Sequence, residues 1–261
     1  MYMHHIFVKK DCIDLDKKLI VIDSADDFEN YNHLVNSLRV KKNEEVLCSA
    51  VPFISTYDYK TKVSDIDKTK ILLIIEEELN ENELPVKINL YQGLAKSDKM
   101  EYIIEKAVEL GVSSIIPLAT TNAVVKLDKD DKKYKNKLDR YNKISKSAAE
   151  QSKRHIIPEV CEPVTIKETI ENIKDDYNIV FYENAKNIDY TRKAINEIKN
   201  VGANSERSIN IFIGPEGGFT DDEIEMMTNV GFKVLTLGSR ILRTETAALT
   251  ALSIFMYEFE R

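Results

Sequence analysis

The chain has 261 residues, of which 43% are hydrophobic and 31% charged, and a formal net charge of −7. That balance predicts a soluble globular protein of about two domains. It excludes a membrane helix, because no apolar run approaches the about 18 residues required. Met1–Val8 is too short and too polar to read as a signal peptide. Cys12, Cys48 and Cys161 form no C-x-x-C pair, and the four histidines show no H-E-x-x-H spacing. Neither a disulfide framework nor a metal site is expected, and a reducing cytoplasm fits.

Residues 5–75 read as β-rich. Strands are predicted at His5–Val8, Leu19–Ile22, Glu45–Val51, Tyr57–Val63 and Ile71–Ile75, with one helical segment, Asn32–Leu38. Short strands separated by polar turns suggest a small barrel. Glu76–Glu83 carries five acids in eight residues and reads as a linker or exposed turn.

From residue 86 strands and helices alternate. Val86–Gly93 is a predicted strand. Asp98-x-x-Glu101 predicts a capping box, followed by Met100, Ile103, Ile104, Ala107 and Val108 at helical spacing and by Gly111 as the C-terminal stop. Ser114–Leu118 is a strand and Tyr134–Gln151 a helix. Asn178–Tyr182 and Ile209–Ile213 are strands flanking a helix at Asp189–Lys199. Thr220-x-x-Glu223 is a second capping box opening helix 221–230. Phe232–Thr236 is a strand, and Glu245–Glu258 a helix capped by Thr244. Such alternation implies a parallel sheet covered on both faces.

Two segments stand out within that pattern. Ile211–Thr220 runs from an apolar strand into Gly214-Pro-Glu-Gly-Gly218, and Leu237–Ala247 contains Gly238 and the run Arg240-Ile-Leu-Arg-Thr-Glu245. Neither is a phosphate loop or a dinucleotide loop. Glycines let backbone approach a ligand closely, and ligands of open α/β sheets sit at the carboxyl ends of strands. Each loop alone reads equally well as a tight strand-to-helix turn. Arg240 and Arg243 offer permanent positive charge. Glu216 and Glu245 are carboxylates at loop and helix starts. Lys126–Arg154 holds 11 Lys/Arg against 5 Asp/Glu, a local excess of +6. It reads either as a solvated helix face or as a phosphate-binding surface.

The two loops resemble those of the SPOUT-class RsmE family of ribosomal RNA uridine-N3 methyltransferases. Lys96–Gly111 looks like the segment that opens the family's methyltransferase domain. Ser147–Val160 is similar to its central Glu-Gln…Arg…Pro motif, and His33–Val40 to a helix of its N-terminal domain. The likeness is colinear and spans nearly the whole chain. It implies an α/β protein with an N-terminal PUA-like, RNA-binding β-barrel at 1–75 and a C-terminal SPOUT domain with a trefoil knot at 76–261. It implies S-adenosylmethionine held by Gly214, Glu216, Gly217, Gly218, Leu237, Gly238, Ile241 and Leu242. The expected catalytic residues are Arg243, Arg154 and Glu245, with His155 a further base candidate. The expected RNA contacts are Arg39, Lys153 and Arg154. The expected partners are ribosomal RNA or the small subunit, and a second copy in a homodimer. Ribose 2′-O methylation and RNA binding without catalysis are the competing readings. The chain departs from the family pattern at His5 and Asn122, where arginine is usual.

Overall fold

The computed structural model describes residues 3–52, 57–80, 82–124, 132–173, 176–185, 187–202 and 207–260. Its chain divides into two units, Met1–Glu83 with Ala149–Ile156, and Leu84–Ala148 with Ile157–Arg261.

In the first unit β1 (His4–Lys9), β2 (Ile13–Asp14), β3 (Leu19–Asp23), β4 (Glu45–Val51), β5 (Tyr57–Ile66) and β6 (Lys70–Asn80) form one six-stranded sheet in the order β1-β4-β5-β6-β3-β2. β1 and β4 are parallel and the remaining pairs antiparallel. The two-residue alternation sends Ile6 and Val8, Ile20 and Ile22, Val46 and Cys48, and Ile71 and Leu73 into one core. Each of the aliphatic side chains among them contributes about 1.5–3 kcal/mol on burial. The helix expected at Asn32–Leu38 begins earlier, as α1 (Phe28–Asn32) capped by Asp27, and continues as a π-type turn over His33–Ser37.

The acidic run is not a linker up to Asn80, because β6 carries it. Lysines on β5 stand opposite: Lys60 pairs in register with Glu77, and Lys62 Nζ lies 3.7 Å from Glu76. Opposite charges across a ladder suit a strand. Glu81 lies outside the described residues.

The second unit is built on a parallel sheet of β7 (Ile88–Gly93), β8 (Ser114–Ala119), β9 (Glu159–Val160), β10 (Val164–Thr165), β11 (Tyr177–Phe181), β12 (Ile209–Ile213) and β13 (Lys233–Leu235). The order is β10-β8-β7-β12-β11-β13, with β9 beside β8. Its helices are α2 (Ser97–Glu109), α3 (Lys132–Ser152, whose residues from Ala149 on belong to the first unit), α4 (Ile166–Asn172), α5 (Ile188–Gly202), α6 (Asp221–Asn229) and α7 (Thr244–Phe259).

The α2 stripe from Met100 to Val108 is fully buried, as its spacing predicts. The box expected at Asp98 does not form. Lys96 is the N-cap, so Asp98 already sits inside the first turn, and Glu101 instead accepts a 2.7 Å hydrogen bond from Arg140. The Thr220–Glu223 box does form. Thr244 proves to be the first helical residue rather than the cap. Its hydroxyl donates to the Gly214 carbonyl at 2.6 Å and accepts from Gln92 at 2.9 Å. α4, with its own Thr165–Glu168 box, was not anticipated from the sequence.

The register aligns Phe181 with both Ile213 and Leu235. Three neighbouring parallel strands therefore end at one level. The chain leaves them at Tyr182, Gly214 and Thr236, on the same edge of the sheet.

Candidate functional site

Those three exits enclose a cavity of 380 Å³, within the about 300–1,000 Å³ of small-molecule sites. Gly214, Glu216, Gly217, Gly218, Leu237, Gly238, Ile241 and Leu242, singled out in the sequence as one set, all line it. Arg240 and Arg243 line it too. Among the described residues neither guanidinium has a carboxylate partner.

The glycines are required for different reasons. At Gly218 φ is +68°, and an added Cβ would stand 2.7 Å from Glu183 Oε1. At Gly217 a Cβ would stand 2.9 Å from the Asn122 side chain. Asn122 Nδ2 donates to the Gly217 carbonyl at 3.0 Å, so the residue that departs from the family's arginine braces the loop. Gly238 has φ +119° and nothing within 4 Å of its Cβ position. That backbone lies open beside the cavity, an approach that only glycine allows without strain.

The site's electrostatics centre on Lys99, in the first turn of α2. Its Nζ lies 3.5 Å from Glu216 Oε1 and 3.5 Å from Glu245 Oε2. The Lys96 amide donates to Glu216 Oε1 at 3.3 Å. Burial pushes the Glu216 carboxyl up, but hydrogen bonds from its own amide and that of Lys96, with the Lys99 charge, hold it below the usual carboxylate value. Glu245 stands behind Lys99 and does not line the cavity itself. On the opposite side Tyr182 donates to Asp221 at 2.7 Å and accepts from Asn184 at 3.0 Å, which fixes the start of the loop carrying Glu183.

Lys99 and Glu183 escaped sequence reasoning. Lys99 reads there as one of several charges on a helix, and Glu183 as an acid just beyond a strand. The signal for Glu183 was its place at a strand's carboxyl end beside the glycine loops.

Other expected site residues lie in the first unit. Arg39 is exposed, with φ +54°. Lys153 is half-buried, with φ +57°, and its carbonyl accepts from Asn82 at 2.9 Å. Arg154 is only 5% exposed and its guanidinium is held by Glu83, with Nε 3.1 Å from Oε2. That burial makes it a tie between Glu83 and the turn after α3, contrary to the expected RNA contact and catalytic charge. His155 is buried too, its Nδ1 2.7 Å from Asp58, which also accepts from Ser49; His5 Nε2 lies 2.8 Å from the Ser49 hydroxyl. His5 and His155 thus belong to one buried polar network, and His155 is not among the cavity's lining residues.

The cationic segment is described only from Lys132 onward; Lys126–Asp131 lies outside the described residues. Along α3, Lys135, Arg140 and Lys143 are exposed, whereas Lys137 is partly buried over the Tyr141 ring. Among the described residues no cluster of His, Cys, Asp or Glu has metal-binding geometry, and no helix is long and apolar enough to cross a membrane.

A family model described as an RNA methyltransferase domain matches residues 82–256. The small-subunit ribosomal RNA methyltransferase E of Bacillus subtilis is 37% identical over 234 residues, 89% of each chain. A methyltransferase from Legionella pneumophila, solved with its cofactor S-adenosylmethionine, superposes with a TM-score of 0.80 at 28% identity over 98% of both chains. The Neisseria gonorrhoeae small-subunit ribosomal RNA methyltransferase E, solved with S-adenosylmethionine, gives 0.79 at 26% identity over 98% of both chains. With the glycine-loop cavity at its strand ends, this chain belongs to the family of small-subunit ribosomal RNA methyltransferases E.

Proposed function

We propose that this protein transfers the methyl group of S-adenosylmethionine to N3 of a uridine in 16S ribosomal RNA. The observation that carries this reading is the cavity walled by both glycine loops at three adjacent strand ends. It is lined by Phe181, Ile213 and Leu242 on apolar surface and by Glu183 and Glu216 as carboxylates. That set suits a ligand with an aromatic base, ribose hydroxyls and a cationic sulfonium. The open space beside Gly238 suits close backbone contact. Gly214, Glu216, Gly217, Gly218, Leu237, Gly238, Ile241 and Leu242 would hold it. When bound, the sulfonium supplies an electrophilic methyl group.

The residues of the chain do the rest. The loops fix the donor so that the base nitrogen meets it in line, which converts an encounter into a positioned reaction. Uracil N3 gives up its proton to solvent water as it bonds to the methyl carbon, and the negative charge that develops spreads onto the flanking carbonyl oxygens. Arg243, on the cavity wall and without a carboxylate partner among the described residues, is the group assigned to that charge. Arg154 is too buried for the role. Glu245 contributes through Lys99. The target base has to leave its stack to reach the cavity.

The wider reading carries a PUA-like RNA-binding barrel in the first unit, a trefoil-knotted passage through the two glycine loops, a cytoplasmic location and a homodimer. Supporting the dimer, Tyr257 of α7 is 79% exposed and stands beside Tyr102 and the half-buried Leu249 and Ile254. Light scattering at micromolar concentration should give twice the chain mass, and a monomer would contradict the dimer. Calorimetric titration with S-adenosylmethionine tests the cofactor assignment. Saturable binding is expected, and its absence would favour RNA binding without catalysis.

A further inference from the structure

We infer that Lys99 is a positioning residue of the methyl-transfer site, joining the Gly214–Gly218 loop to the start of α7. The inference rests on the function proposed above and deepens it.

Three segments far apart in the chain meet at this ammonium. Glu216 comes from the loop after β12, Glu245 from the first turn of α7, and Lys99 from the first turn of α2. Both distances are 3.5 Å, and the Lys99 side chain is 28% exposed, so the bridge is shielded from water without being sealed. The Lys96 amide adds a second hold on Glu216, one turn earlier. Thr244, next to Glu245, is tied to the Gly214 carbonyl at 2.6 Å. The glycine loop and the α7 start are thereby joined twice, once by a hydroxyl and once by charge.

The bridge also sets the charge of one cavity wall. Two carboxylates without Lys99 would repel each other and splay the loop that has to hold the donor. With Lys99 the cluster carries a single net negative charge, suited to facing a sulfonium. The other charged groups at the cavity are Arg240, Arg243 and Glu183, and Asp98 is the remaining acid in the first turn of α2. None of these is seen to pair with Glu216 or Glu245, so among the described residues Lys99 is the side-chain cation seen to bridge the two.

The test compares full-length Lys99→Met and Lys99→Arg with wild type. It follows S-adenosylmethionine affinity by calorimetry from pH 4 to 8, methyl transfer to small-subunit RNA at neutral pH, and melting temperature. Lys99→Met should keep a cooperative melt but weaken donor affinity or kcat by about tenfold or more, the scale of a lost charge-assisted contact. The acid limb of its donor affinity should move to higher pH, because Glu216 without the Lys99 charge holds a proton more tightly. Lys99→Arg should recover most of the loss and return the limb. Wild-type affinity and rate in Lys99→Met would overturn the inference. So would a loss that is uniform across pH and not recovered by arginine. If Lys99→Met fails to fold, Lys99→Gln replaces it with the same expected limb shift, and an unshifted limb there is equally fatal. Failure of wild type to bind the donor would instead sink the proposed function, which separates the two claims.

Discussion

At Gly238 a side chain would meet no atom within 4 Å, yet the backbone φ is +119°. At Gly93 the backbone is ordinary, but a Cβ would lie 2.3 Å from Pro215 N and 2.6 Å from Pro215 Cδ. The two glycines should therefore fail differently. Gly238→Val should cost about 1–3 kcal/mol of strain and abolish donor binding in a protein that still folds. Gly93→Ala should cost at or above the about 3 kcal/mol upper end of ordinary overpacking, displacing the whole Gly214 loop. Denaturant unfolding and calorimetry on both variants check this; donor affinity unchanged in folded Gly238→Val would contradict the placement.

His5 is governed by solvation. Burial outweighs the attraction of Asp58 and takes the imidazole from 6.5 to about 4. The folded state thus holds it neutral while the unfolded chain protonates below 6.5. Its contribution to stability is complete above pH 6.5 and is lost as the pH falls toward 4, by about 3 kcal/mol in all. His5→Gln should flatten the stability profile between those limits, and an unchanged slope in urea unfolding would contradict the account. The eight cavity residues were legible through the family resemblance of the two loops; the glycines by themselves said only that backbone there could approach a ligand. The burial of Arg154 and His155 was not legible, because a basic run after a helix looks the same whether its charges face water or Glu83 and Asp58.

Elements were easier to read than their ends. The β4 and β12 bounds follow from apolar content alone, and α2 from its stripe. The errors at the ends have a common cause: side chains that resemble caps or linkers found partners elsewhere in the fold. Glu101 took Arg140, Thr244 took the Gly214 carbonyl, and Glu76 of β6 found Lys62. The same distinction sharpens the expectation for α3. Its cationic face rests on the exposed Lys135 and Lys143, while burial lowers the Lys137 ammonium, which lies 5.6 Å from the Tyr141 ring centroid. Neutralising Lys135 and Lys143 together should reduce the salt dependence of RNA binding by roughly one unit per lost contact. Lys137→Gln should leave that slope nearly unchanged. An unaltered slope in the double variant would make α3 a solvated face only.

At the scale of the molecule, the order β10-β8-β7-β12-β11-β13 does what no local pattern announces. Periodicity yields strands but not their neighbours, so the joining of the loops after residues 213 and 236 rested on resemblance, and the strand end at 182 was not read as part of it. The meeting of residues 182, 214 and 236 places Lys99, Glu183 and Arg243 around one cavity, and the proposed reaction depends on it. The most direct measurement is mass mapping of 16S ribosomal RNA from a strain lacking this protein, before and after incubation with the purified chain and S-adenosylmethionine. One uridine should gain a single methyl group, on the base at N3. A methyl group on ribose, or no gain at any nucleotide, would contradict the proposed reaction.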